Sequence, residues 1–554
     1  MVRGFLKRIA KPIRGLHQAA YLLATLTIAS QALALIRDRT FAHVFGASQT
    51  LDLYYAAFKV PDLVFTLVAS LVSAYVLIPR IISDSHEEAH KIISNAVSFL
   101  LIFGGSISVV LAIIAPHMLF VIFPSFASSP EASSFVTLVR LLLLQPILLG
   151  ISGILASVTQ VHRRFVLYAL SPVLYNLGII FGALVFYPRF GLVGIGYGVI
   201  LGAVAYLAVH VPVVINAKLM PKLELPSWKI IGPVMRESVP RTLALGVNSA
   251  VIFVITILAA RAGSGIIAVF TFATNLEAVP LALIGSSYAI AAFPVLSELS
   301  GSGNKKEFTR VLSAAARNIV LWSVVVFGLA VVLRAHLVRV ILGSGNFNWH
   351  DTRLTAAAFA VLVIALGAQA LILLLSRALY ASRQSWRPFI YQIVGGTISI
   401  STATIGLYYL HRATGTLNMF GSFLRVGDVS GNIVLLFALA MVLGQLITAG
   451  LLLWGIRVVA PGFGKTLVRP LRDGLLATIG GGASAYLTLT LMGNIVPLTT
   501  LASVLTQGLV AGSIGAVVVA GILILLRNPD FLEMRDALHR IIKKSNVLPT
   551  FGAS

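Results

Sequence analysis

The chain has 554 residues, 58% of them hydrophobic and only 11% charged, with a net charge of +23 and no cysteine. Soluble chains carry about a quarter charged residues, so this composition excludes an ordinary soluble domain; the missing cysteines exclude disulfides, thiolate metal sites and cysteine nucleophiles. The positive balance does not argue for nucleic acid, because no RNA- or DNA-binding module is visible and lysine and arginine accumulate in the cytoplasmic loops of membrane proteins.

Residues 1–17 are basic, and no small-residue cleavage site follows them, so the first apolar segment reads as a retained helix. A membrane-crossing helix needs about 20 apolar residues. On that length the sequence predicts fourteen, at 18–45, 52–82, 92–124, 133–159, 164–187, 192–216, 238–261, 265–297, 309–343, 352–380, 388–410, 432–457, 471–493 and 499–527. The fold class is an all-α polytopic membrane protein. The loops between these helices alternate in charge without a break. One set, with both termini, holds about 27 Lys and Arg; the other holds about four. Both termini are therefore expected in the cytoplasm.

Two stretches repeat a pattern. Ala156 to Tyr168 and Ala378 to Tyr391 each run from a small-residue helix end through a short basic turn to an aromatic restart. The spacing suits two pseudo-symmetric six-helix lobes, a common transporter plan. The expected organisation is a basic N-terminus over 1–17, a first lobe over 18–216, a linker over 217–237, a second lobe over 238–457, two further helices over 471–527 and a tail over 528–554. In the tail, Asn528-Pro529 reads as a helix cap with proline at the first helical position. Phe531, Met534, Leu538, Ile541 and Ile542 then follow at helical spacing, as in a helix lying on a lipid surface.

Charges inside the apolar segments are the candidate functional residues, because each costs roughly 2.5–3.5 kcal/mol at the bilayer centre. Arg37, Asp38 and Arg39 sit late in the first helix. Asp52 and Asp62 bracket Lys59-Val60-Pro61 in the second, and Glu277 lies in the eighth beside Asn275. Lys59 either faces a cavity or snorkels to the interface; Asp52 either serves the site or caps a helix. Sequence neighbours do not face each other on a helix, so Arg37 and Asp38 are expected to bond to other helices. No metal-ligand spacing and no nucleotide motif is present. Gly480-Gly481-Gly482 lies inside a helix with no strand before it and no Lys-Ser/Thr after it, so it is not a phosphate loop. The expectation is a protein that is not an enzyme and has no cofactor. Its energy would come from a gradient, the membrane potential or substrate flow, with monovalent-cation coupling open.

Several stretches carry a resemblance. Ala34-Leu-Ile-Arg37-Asp38, Ala42-His-Val-Phe45-Gly46-Ala47, Thr50-Leu-Asp52 and Ala57-Phe-Lys59-Val-Pro61 resemble the start of the MurJ/MviN lipid II flippases. Phe293-Pro294-Val-Leu-Ser297 with Ser302-Gly303-Asn304, and Gly153 to Phe165 with Ser171-Pro172 and Asn176, resemble later parts of that family. The family belongs to the multidrug/oligosaccharidyl-lipid/polysaccharide exporter superfamily. The resemblance implies two lobes with alternating access. It implies a cationic cavity for the pyrophosphate of an undecaprenyl-linked muropeptide and an apolar groove by the last two helices for the lipid tail. It also implies a bacterial inner-membrane location, with membrane lipids and cell-wall synthesis proteins as partners.

By resemblance, Arg37, Asp38, Asp52 and Lys59 match functional family positions. Arg39 is an additional cation. Family arginines fall on Gln31 and near Phe65-Thr66, and an Asp-Arg pair falls on Thr274-Asn275, close to Glu277. No carboxylate lies in the eleventh or twelfth helix, where some relatives bind sodium. Two other readings stand beside the flippase: a flippase for another polyprenyl-linked glycan, and a non-transporting membrane scaffold for cell-wall enzymes.

Overall fold

The structure is a computed structural model. It describes residues 16–72, 74–83, 85–410, 419, 421–494 and 500–536. The basic N-terminus up to residue 15, parts of two sparsely charged loops (411–418 and 495–499) and the tail residues Leu538, Ile541 and Ile542 lie outside the described residues. Among the described residues every regular element is helical.

Among the described residues, twelve stretches are long and apolar enough to cross a membrane. The sequence expectation of fourteen counts two things differently. It includes the 30-residue helix Leu16–Phe45, which stands outside the twelve. It also splits Phe165–Asn216, a stretch of 52 residues. At 1.5 Å per residue that is more than twice the thickness of a hydrocarbon core of about 30 Å. The chain turns within it at Gly191, whose φ of 58° and ψ of −147° are not helical.

The two arms of that stretch run back along each other on glycine. A Cβ on Gly178 would stand 2.4 Å from the Gly202 Cα, and one on Gly198 would stand 2.3 Å from the Gly182 Cα. In lipid, where helix association has no hydrophobic drive, such close backbone approach supplies the attraction. Gly198→Ala is therefore expected to lower the thermal midpoint of the purified protein by the overpacking cost of about 1–3 kcal/mol. Gly153→Ala, where a Cβ meets nothing within 4 Å, serves as the control and is expected to be neutral or slightly stabilising. Equal behaviour of the two variants would refute the packing account.

Helix boundaries follow the expectation to within four residues except at the third span, which begins at His86 and not at 92, and at the seventh. The helix there is Trp228–Ala262, not 238–261. It begins among Lys229, Arg236 and Glu237, where hydropathy is low, because the backbone ladder continues into the polar interface. It carries Pro233 and Pro240, which membrane helices tolerate. Glu237 pairs with Arg80 at 3.0 Å. The preceding linker lies along the helix His86–Phe99. The backbone N–H groups of Lys222 and Glu224 donate to the Ser94 and Ser98 hydroxyls, and that of Ser227 to the Asn95 side chain, at 3.1, 3.1 and 2.6 Å. These bonds satisfy polar side chains that are otherwise buried.

The repeated basic turns share a backbone. Arg163 and Arg383 both take positive φ, 55° and 59°. In each turn the N–H of the following residue reaches back to a carbonyl five residues earlier, Arg164 to Thr159 at 3.0 Å and Gln384 to Leu379 at 2.9 Å. This left-handed residue is a common way to end a helix.

The tail begins as the sequence predicts. The Asn528 side chain accepts from the Phe531 N–H at 3.0 Å, and its amide donates to the buried Asp473 at 2.9 Å. Residues 529–536 are helical. Phe531 packs with Leu321, Val325, Ala477, Val519 and Leu523 in a protein core, with Met534 against it. The triple glycine serves helix packing here: a Cβ on Gly481 would stand 2.8 Å from the Gly515 carbonyl oxygen.

By internal contacts the chain forms two compact units. One comprises residues 1–276, 341–358 and 389–444; the other comprises 277–340, 359–388 and 445–554. This division is separate from the repeat boundaries at 216 and 238.

Candidate functional site

Within the first unit, the helix Leu16–Phe45 delivers Arg37 and Asp38 to one cluster. Arg37 is 22% exposed by its side chain and Asp38 is 3%. The Arg37 Nε and one terminal nitrogen donate to Asp38 Oδ1 at 3.0 and 2.8 Å. Its other terminal nitrogen donates to Asn176 Oδ1 at 3.1 Å. The second Asp38 oxygen accepts from the Asn275 amide at 3.0 Å. Each carboxylate oxygen is thus engaged, and each side of the pair reaches another helix. The direct bond between sequence neighbours departs from the expectation that they turn apart. Arginine is long enough to fold back across one residue, and a buried carboxylate needs an opposite charge close by.

The surrounding groups are polar aromatics, a lysine and a second acid. Tyr54 lies within electrostatic reach of Arg37, Asp38 and Asp62, and Tyr175 within reach of Arg37 and Asp62. Gln145 donates to the Tyr175 hydroxyl at 3.1 Å. Lys59 opens the helix Lys59–Val68 with Asp62 on its first turn. Among the described residues, no hydrogen bond or salt bridge within the distance limits engages the Lys59 ammonium. The cluster holds two cations and two carboxylates, with tyrosine and amide groups between them.

Asp52 is buried and does something else. Ser48 caps its own helix, Gln49–Ala57. Asp52 instead accepts from the backbone N–H of Gly265 at 2.6 Å and of Ala268 at 2.8 Å. It caps the start of Ile266–Leu281, where free N–H groups and the helix dipole favour an anion. Tyr55 stands within electrostatic reach of both Asp38 and Asp52, with its ring against Phe41 and Phe272.

This cap belongs to a wider interlock of the loops that charge assigns to the outward set. Asn346 donates from its backbone to the His43 carbonyl and from its side chain to the Val44 carbonyl, at 3.0 and 2.7 Å. Gly265 has a φ of 80°, and a Cβ there would stand 2.3 Å from the Ala47 carbonyl oxygen. Arg39 donates to the Ile341 carbonyl at 3.1 Å, near the end of Lys305–Leu342, where a cation suits the dipole. Arg353 binds Asp428 at 3.0 and 2.6 Å. These hydrogen bonds hold the Asp428 carboxyl below the usual carboxylate range.

Glu277 falls elsewhere, in the second unit. Two residues along a helix is a turn of about 200°, so Glu277 and Asn275 point to opposite faces. Glu277 accepts from the Gln369 amide at 2.6 Å, and that amide also donates to Gln445 at 2.8 Å. The structure therefore brings together Arg37, Asp38 and Asn275, groups Asp52 and Arg39 with the sparsely charged loops, and pairs Glu277 with Gln369. Tyr54, Tyr55, Tyr175 and Gln145 were not singled out in the sequence. Polar aromatics and an amide inside apolar helices were the available signal. No group of three or more His, Cys, Asp and Glu that could hold a metal occurs among the described residues.

The second unit also contains an apolar groove of about 1010 Å³. Val320, Phe327, Leu371, Leu446 and Leu475 line it, with Arg457 and Lys465 among the lining residues.

Comparisons with known proteins agree with this architecture. The family model "Lipid II flippase MurJ" matches residues 41–467. The lipid II flippase MurJ of Burkholderia cenocepacia is 25% identical over 389 residues, which are 67% of this chain and 75% of that protein. The probable lipid II flippase MurJ of Thermotoga maritima is 26% identical over 383 residues, 68% and 77% of the two chains. A solved lipid II flippase MurJ in an inward closed conformation superposes with a TM-score of 0.70 at 19% identity, covering 92% of this chain and 99% of that one. An inward-facing MATE multidrug transporter of the MOP superfamily superposes with a TM-score of 0.62 at 18% identity, covering 79% and 96%. With more than half its length matched by the family model, in a multi-pass helical fold that carries the Arg37 cluster, this chain belongs to the MurJ lipid II flippase family.

Proposed function

We propose that this protein moves lipid II, the undecaprenyl-pyrophosphate-linked muropeptide, from the inner to the outer leaflet of the bacterial inner membrane by alternating access. Both termini lie in the cytoplasm in this reading. The observation that carries it is the Arg37 cluster: a guanidinium held inside apolar helices by Asp38 and Asn176, with the Lys59 ammonium unspent. A pyrophosphate offers more acceptor oxygens than one carboxylate, and arginine matches them in a forked geometry.

Substrate binding is then an exchange of partners. Arg37 leaves Asp38 for a phosphoryl oxygen, and Lys59 supplies the second charge. Asp38, once released, weakens its bond to Asn275. Because Tyr55 stands within electrostatic reach of both Asp38 and Asp52, a shift at Asp38 is felt at the cap on Gly265 and Ala268. The outward loops then loosen as the substrate engages. The second unit by itself holds an apolar groove suited to an aliphatic chain, to which Leu471 and Leu475 contribute from the helix Val468–Gly493. No bond is made or broken, and no cofactor takes part.

Proteoliposomes test this reading against a flippase for another glycan. Translocation of a labelled lipid II should be competed by unlabelled lipid II about tenfold better than by undecaprenyl pyrophosphate bearing an unrelated sugar, a difference of roughly 1.4 kcal/mol. Equal competition assigns a wider polyprenyl-glycan specificity. No translocation, together with silent cavity substitutions, assigns the scaffold role.

A further inference from the structure

The second unit holds a polar cavity of about 590 Å³ on the side of the basic loops. Lys306, Glu307, Arg310, Ser313 and Arg317 line it from the helix Lys305–Leu342, and Thr466 lines it from the turn Phe463–Leu467. Lys306, Arg310, Ser313 and Arg317 recur every three or four residues, so they share one helix face. Three cations there meet one lining carboxylate.

The donors in this cavity exceed the acceptors. Arg310 spends its Nε and one terminal nitrogen on Glu307. Arg317 spends its Nε on Asp530 at 2.9 Å. The remaining guanidinium nitrogens and the Lys306 ammonium make no hydrogen bond among the described residues. Thr466 donates its hydroxyl to the Phe463 carbonyl at 2.6 Å. Ser313 is a separate observation: it is 4% exposed, and its Oγ is buried without a hydrogen-bond partner. Helix hydroxyls in this chain ordinarily return to the carbonyl four residues back, as Thr309 does to Lys305 at 2.9 Å. Ser313 does not, and a buried donor left unpaired carries the full desolvation cost of the group.

Several N–H donors, one unpaired hydroxyl and an excess of positive charge call for a ligand with many acceptor oxygens and negative charge. We propose that this cavity is a phosphate-binding site, filled by the phosphate group of an inner-leaflet anionic lipid or by free orthophosphate. Lys306 and the spare nitrogens of Arg310 and Arg317 contact the phosphate oxygens, and Ser313 donates to one of them once a change of side-chain rotamer brings its hydroxyl into the cavity. The cavity exceeds the size of a bare phosphate ion, leaving room for a group esterified to it. The proposal does not depend on the transported substrate.

The full-length protein in phosphatidylcholine nanodiscs supplies the test. Its thermal midpoint is read in inorganic phosphate against chloride at equal ionic strength, and separately in discs containing phosphatidylglycerol. A rise of about 2 °C or more with inorganic phosphate assigns a free anion. The same rise with phosphatidylglycerol alone assigns a lipid headgroup. In either case Lys306→Gln/Ser313→Ala should abolish the rise, and the unliganded midpoint should not fall, because Ser313→Ala removes an unpaired buried hydroxyl. The pairs of Arg310 and Arg317 are left intact. If that double variant does not fold, Lys306→Gln alone, at an exposed position, should reduce the rise at least by half. No rise with either probe, or a rise that survives in the variants, overturns the proposal; a rise caused by phosphate at Arg37 would survive in this way.

Discussion

Arg37→Ala abolishes rescue of cells depleted of their own lipid II flippase, and Arg37→Lys restores only part of it. The alanine variant strands the Asp38 carboxylate with Oδ1 unpaired and Oδ2 on Asn275. Leaving one member of a buried ion pair without its partner costs roughly 3–5 kcal/mol, so the variant also melts earlier. Lysine keeps the charge but cannot hold Asp38 and Asn176 together in one planar fork. Two effects, folding and binding, are therefore mixed in the single substitution. Arg37→Ala/Asp38→Ala separates them. With both charges gone the buried penalty falls away, so immunoblots should show near wild-type levels of protein. Rescue stays absent, because the phosphate contact is still missing. Full rescue by the double variant would show that the pair serves packing alone.

Asp52→Ala speeds amide exchange at Gly265 and Ala268 by about tenfold or more, a change of roughly 1.4 kcal/mol or above. The carboxylate binds two of the donors that a helix start leaves unsatisfied, at 2.6 and 2.8 Å. A lost cap alone costs about 0.5–2 kcal/mol, and a buried donor left unpaired adds about 1–3 kcal/mol. Asp52→Asn keeps an acceptor oxygen for one of the two amides and should fall between alanine and wild type. Hydrogen-exchange mass spectrometry over residues 262–270 reads this directly. The amides of residues 346–348, in the same outward interlock, should follow in the alanine variant because the loops support each other. Unchanged exchange at Gly265 would remove Asp52 from the interlock and return it to the substrate site.

The helix pattern was open to a linear reading for a local reason. Hydropathy over some twenty residues reports the bilayer, and the charge of each loop reports its side, so neither needs a contact partner. The same locality made Asn528-Pro529 readable as a cap, since the bond it makes closes three residues later. It failed at Trp228–Ala262, where a helix starts in polar sequence and hydropathy has nothing to mark. Intramembrane charges were visible as anomalies for the same reason: Arg37, Asp38, Lys59 and Asp52 stand out against apolar neighbours.

What those charges do was not legible along the chain. Asp52 lies 213 residues from Gly265 and Asp38 lies 237 from Asn275; only packing brings such partners within 3 Å. Residue type alone leaves an acid inside apolar sequence equally suited to binding a substrate or to capping another helix. Asn275 and Glu277, close neighbours in the sequence, part company because a helix turns them to opposite faces. The membrane class, the helix ladder and the list of residues too costly to be idle came from sequence, because solvation energy is a property of each segment. The bonds of Arg37 to Asn176 and of Asp38 to Asn275, the cap by Asp52 and the unpaired hydroxyl of Ser313 came from tertiary structure, because a hydrogen bond depends on where two groups are finally held, however far apart they lie along the chain.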